Sequence, residues 1–73
     1  MSTSNNRKRR HQKMLKLLGE NPLLTDEDLA KALSVSLSTI RLDRTLLGIP
    51  ELRERMRRMA EEATSHLRSL RYE

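Results

Sequence analysis

Thr25-Asp26-Glu27-Asp28-Leu29-Ala30-Lys31-Ala32-Leu33-Ser34-Val35-Ser36-Leu37-Ser38-Thr39-Ile40-Arg41-Leu42-Asp43-Arg44-Thr45-Leu46-Leu47 is the stretch that decides the fold. Thr25 has a side-chain oxygen for the free N–H groups of a helix start, and the three acids after it sit where the helix macrodipole is positive. Leu29, Ala30 and Leu33 form the inner face of that helix, which is expected to end at Ser34. Val35 is a single apolar anchor in a short turn, and Ser36 caps a second helix, Leu37 to Leu47, stopped by Gly48. Two short helices are thus joined by about three residues.

This is the helix-turn-helix pattern. Ala30 falls where the two helices cross, and a larger side chain would hold them apart. Ser34 occupies the turn position that glycine fills most easily. An ordinary α-hairpin is the plainer reading of the same residues. At about 100° per residue, Ile40 and Leu47 share one face of the second helix, flanked by Leu37 and Leu46. The opposite face carries Ser38, Arg41 and Thr45, with Thr39 and Leu42 at its edges. Small polar residues around one forked donor suit the major groove: Arg41 can bridge guanine O6 and N7, and Leu42 can touch a thymine methyl or pack on the next helix. Asp43 and Arg44 are expected to orient each other or their neighbours, since Asp43 facing phosphates would be repelled.

Upstream, Met14, Leu17 and Leu18 set an apolar face for a helix from about Arg7 to Leu18, capped by Asn5 or Asn6 and stopped by Gly19 and Asn21-Pro22. Residues 1–6, without a large apolar cluster, are expected to form a disordered tail. Downstream, Pro50 fits a first helical position. Leu52, Met56, Met59, Ala63, Leu67 and Leu70 then follow at spacings of 4, 3, 4, 4 and 3, a stripe for docking or dimerisation that a three-helix domain cannot cover. Glu51 with Arg55 and Glu54 with Arg58 add i,i+4 pairs. The expected architecture is all-α: a tail (1–6), a three-helix helix-turn-helix domain (7–48), and a long amphipathic linker helix (49–73) with no β-wing.

The chain has 73 residues, a single aromatic ring and no cysteine. That is enough for one small aliphatic domain and excludes disulfides, thiolate zinc sites and thiol nucleophiles. His11 and His66 lie far apart with no carboxylate cluster near either, so neither an enzyme nor a metal site is expected. No secretory leader or membrane span is read, and the expected location is the cytoplasm. The net charge is +5, but residues 1–16 hold six basic groups and no acid. Arg7, Lys8, Arg9, Arg10 and Lys13, with the helix starts at Thr25 and Ser36, are therefore candidates for DNA backbone or minor-groove contacts. A solubilising tail is the alternative reading of the same charge block.

Thr25 to Ala30, Val35-Ser36, Ser38 to Arg44 and above all Ile49-Pro50-Glu51-Leu52-Arg53-Glu54-Arg55 resemble the DNA-binding part of the FapR family, Gram-positive repressors of fatty-acid and phospholipid synthesis genes. The likeness covers about residues 7–63, and the helix-turn-helix also resembles the wider DeoR-type class. The resemblance implies a homodimeric repressor whose linker helix leads to a hot-dog domain that binds malonyl-CoA and releases the operator. It further implies that this chain lacks the effector domain, binds no cofactor itself, and meets a double-stranded operator together with a second copy. Competing readings are a helical protein-interaction module, a membrane-surface helix over Arg7 to Leu18, which lacks Trp and Phe, and an RNA binder, which lacks stacking aromatics.

Overall fold

The computed structural model describes the backbone of residues 3–71 and the side chains of residues 6–67. Four helices follow one another: α1 (Thr3–Glu20), α2 (Asp26–Leu33), α3 (Leu37–Leu47) and α4 (Leu52–Arg71). Met14 of α1, Leu29 and Ala30 of α2 and Ile40 of α3 form the buried centre. Leu17, Leu18, Leu24, Leu33, Leu47 and Ile49 close around it. Each buried aliphatic side chain contributes about 1.5–3 kcal/mol, so this core is small and its polar ties matter.

Both ends of α2 and α3 follow from local chemistry. Thr25 Oγ1 accepts from Asp28 N at 3.0 Å while Asp28 Oδ2 accepts from Thr25 N at 3.0 Å, a reciprocal capping box. Ser36 Oγ accepts from Thr39 N at 3.2 Å at the start of α3. The two C-termini close identically: Val35 N reaches Ala30 O at 3.0 Å, and Ile49 N reaches Arg44 O at 2.9 Å. This closure needs a left-handed residue in between, Ser34 (φ 56°) in one case and Gly48 (φ 70°) in the other.

Three boundaries differ from expectation. Helix α1 starts at Thr3, so residues 3–6 are helical and not a disordered tail, and neither Asn5 nor Asn6 is its cap. Nothing from 3 to 6 is Gly or Pro, and adding a turn to a docked helix needs no new nucleus. Met1 and Ser2 lie outside the described residues. The same helix runs through Gly19 to Glu20. Gly in a helix costs only about 1 kcal/mol, and the stop is imposed by Pro22, with Asn21 Oδ1 accepting from Leu23 N at 3.1 Å to shape the bend. Pro50 stays outside α4, whose first backbone bond runs from Arg55 N to Glu51 O at 3.0 Å.

Helix α4 is held at its root. Arg55 is buried, and its guanidinium donates to the carbonyls of Pro50 (3.1 Å), Pro22 (2.7 Å) and Leu24 (3.0 Å). The expected Glu51–Arg55 pair therefore does not form, because three partly buried carbonyls claim the donor. Burial, then the charge of Arg44, lower the Arg55 pKa against the pull of Asp26. Further along, Glu54 pairs with Arg58 as expected (3.3 Å) and also accepts from Arg57 at 2.9 Å, and Arg57 reaches Glu61. Beyond Arg55 every described side chain of α4 is exposed, including Met56, Met59, Ala63 and Leu67. Leu52 is half-buried and Leu70 lies outside the described side chains. The molecule is accordingly elongated, 57 × 19 × 18 Å.

Candidate nucleic-acid interface

Helix α3 is anchored by Ile40 and Asp43, both fully buried, and presents its other side outward. Ser38, Arg41, Leu42 and Thr45 are exposed together and Thr39 is half-exposed, so the five residues expected to read bases share one surface. Leu42 lies near the middle of it and packs on no neighbouring helix core. Leu46, expected to flank the buried side, is 54% exposed and joins the same surface. Two hydroxyls are partly occupied: Thr45 Oγ1 donates to Arg41 O at 3.0 Å, and Thr39 Oγ1 shares a proton with Ser36 Oγ at 3.0 Å.

Asp43 and Arg44 do not pair with each other. The Asp43 carboxylate accepts from the Arg10 fork, with Nη2 at 3.0 Å, and lies 2.9 Å from His11 Nε2. Burial opposes its ionisation, but the bonds from Arg10 and His11 outweigh it and hold the Asp43 pKa below the ordinary carboxylate value. Arg44 instead forks onto Asp26 of α2, Nε to Oδ1 at 2.8 Å and Nη2 to Oδ2 at 3.1 Å. Three residues after Ile40 an α-helix has turned back to within about 60°, and this spacing already places Asp43 on the inner half. The partners of these charges, with Arg55 and His11, are what local pattern reading missed.

The basic block divides accordingly. Arg10 is withdrawn from the phosphate-contact set because its guanidinium is committed to Asp43, with which its hydrogen bond raises its own pKa. Arg7, Lys8, Arg9 and Lys13 are exposed, and none has an ion-pair partner among the described residues. Arg7 lies one turn before Arg10 and His11 on the same face of α1. Arg9 and Lys13, at i and i+4, line a groove of about 290 Å³ with Asn6, Ser34 and Val35. Because these residues are helical, the block is a rigid edge and not the flexible arm that a minor-groove insertion asks for.

The two helix starts are not equivalent. At Thr25 the capping box takes the N–H groups of Thr25 and Asp28, and the carboxylates of Asp26, Glu27 and Asp28 crowd the first turn, so a phosphate would be repelled and Thr25 leaves the contact set. At Ser36 the first turn carries no acid and the N–H groups of Leu37 and Ser38 remain open. Ser36 keeps its place.

The sequence profile of the DeoR-like helix-turn-helix domain matches residues 10–58. This chain belongs to the DeoR-like helix-turn-helix family. Its match spans α2, α3 and the root of α4 and begins at Arg10, the residue that ties α1 to α3. Among named relatives, Transcription factor FapR of Geobacillus sp. (strain WCH70) is 53% identical over 57 residues, 77% of this chain and 29% of that protein. The protein of the same name from Listeria monocytogenes serotype 4a (strain HCC23) is 52% identical over 54 residues, 74% of this chain and 29% of its own. That from Exiguobacterium sp. (strain ATCC BAA-1283 / AT1b) is 44% identical over 64 residues, 88% of this chain and 34% of its own. The chain thus spans about a third of the length of these relatives. Among the described residues, no β-wing follows the DeoR-like motif: Gly48 to Glu51 lead directly into α4.

Proposed function

We propose that this chain is the DNA-binding part of a transcriptional repressor of fatty-acid and phospholipid synthesis genes, acting in the cytoplasm without catalysis of its own. The observation that carries the reading is the exposed α3 face of Ser38, Arg41, Leu42 and Thr45, in a chain whose α1 also exposes Arg7, Lys8, Arg9 and Lys13. The name of its relatives supports the regulatory role. In this reading α3 enters the major groove with Ser38, Thr39, Arg41, Leu42 and Thr45 at base edges. Arg7, Lys8, Arg9, Lys13 and the start of α3 at Ser36 neutralise phosphates on the flank. A second copy occupies the other half of a palindromic operator. Malonyl-CoA control belongs to a hot-dog domain outside these 73 residues.

The test is equilibrium binding to duplex DNA across a salt series. Arg41→Ala should cost about 1–3 kcal/mol and relax preference at one base pair, whereas Lys13→Ala should weaken all sequences alike. If both substitutions act uniformly, α3 is not the reader. The open stripe on α4 favours a second reading, a helical interaction module, which salt-insensitive or absent DNA binding would select.

A further inference from the structure

A long side chain on an open helix face is a poor base reader unless something restrains it, because fixing it sacrifices rotamer freedom. Arg41 is 62% exposed, yet it has a neighbour that is itself fixed. Asp26, the first residue of α2, receives both prongs of Arg44, at 2.8 and 3.1 Å, and Arg44 in turn donates to Ile49 O at 3.3 Å. Asp26 and Arg44 side chains are 18% and 13% exposed, so the acid sits in a braced position. Its Oδ2 then lies 3.7 Å from Arg41 Nε. Asp26 is not consumed in capping its own helix, since that role falls to Thr25 and Asp28.

We infer that Asp26 is a positioning residue that sets base specificity by steering Arg41. A carboxylate on the Nε edge leaves the two terminal nitrogens of the guanidinium pointing away, a two-pronged donor matched to guanine O6 and N7. Arg44 cancels the charge of Asp26, so the brace adds no net negative charge next to the phosphates and Arg41 keeps its own. This deepens the proposed function and rests on α3 being the DNA-reading helix.

The experiment selects duplexes from a randomised pool with the full chain, then measures affinity for the four base pairs at each position of the recovered site. It is repeated for Arg41→Ala, Asp26→Asn and the double variant. Arg41→Ala should flatten one position, losing roughly five- to hundredfold discrimination there. Asp26→Asn should lower discrimination at that same position by about two- to fivefold, and should have no further effect in the Arg41→Ala background. Circular dichroism monitors folding. Should Asp26→Asn not fold, Asp26→Asn with Arg44→Met removes the acid without stranding a buried cation and carries the same expectation. A uniform loss or gain across all sequences, or an Asp26 effect that persists without Arg41, overturns the inference while leaving DNA reading intact. Recovery of no sequence preference by the unmodified chain overturns the proposed function, and the inference with it.

Discussion

At Asp43 a carboxylate is fully buried and survives as an anion because Arg10 and His11 donate to it. Its lowered pKa fixes the sign of the pH effect. The folded state binds its proton less readily than the unfolded chain, so this stabilisation is complete above the ordinary carboxylate value, about 4, and is lost as pH falls through the folded pKa. Glu54, held at about 2 by Arg57 and Arg58, acts in the same window. Asp43→Asn should therefore melt more than about 10 °C lower at neutral pH, since breaking a buried ion pair costs on the order of 3 kcal/mol. Its acid limb should be shallower than that of the native chain but not flat, because Glu54 remains. Thermal melts by circular dichroism at several pH values check both. Ser34 works the other way. A left-handed L-residue costs about 1–2 kcal/mol, and glycine's extra unfolded freedom returns about 0.5–1, so Ser34→Gly should stabilise by about 0.5–1 kcal/mol and raise the melting temperature by a few degrees.

Helix α4 hangs on one residue of its first turn. Arg55→Met removes a charged donor from three carbonyls, and hydrogen bonds to charged groups contribute about 1.5–3 kcal/mol each. The expected result is loss of amide-exchange protection at residues 55–60 with much less change at Leu29 and Ile40; equal loss at both would show that α4 and the core open as one unit. The elements themselves were legible because their signals are local. Thr25, Ser36 and Gly48 mark helix ends within three or four residues, and Met14, Leu29 and Ile40 follow helical spacing. The candidate site was legible only as a surface: the spacing of α3 gives its exposed face. The ties among elements were not, since Arg10 to Asp43 and Arg55 to Pro22 each span 33 positions, and nothing in a short window tells an arginine bound for a buried acceptor from one bound for phosphate. Arg10 and Arg55 were misread for that one reason.

For the molecule as a whole, the exposed cations Arg7, Lys8, Arg9 and Lys13 of α1 and the open start of α3 set the ionic response. With about three or four phosphates neutralised per bound chain, log affinity against log salt should slope at about −2.7 to −3.6, and a flat line would remove the phosphate contacts from the proposal. The uncovered α4 face of Met56, Met59, Ala63 and Leu67 is soft and narrow, so the chain is expected to be largely monomeric at micromolar concentration and to pair on DNA. Sedimentation equilibrium decides this, and a tight dimer without DNA would make α4 itself the dimerisation element. The 57 Å length has a mechanical meaning as well. Among the described residues α4 is pinned near one end, and the part beyond Arg55 is a lever with an arm of about 24 Å. A tilt of roughly 10° at the three-carbonyl clamp sweeps its tip through about 4 Å, nearly three residues of helical rise. Small adjustments at the fulcrum are thereby geared up into displacements of whole residues at the far end.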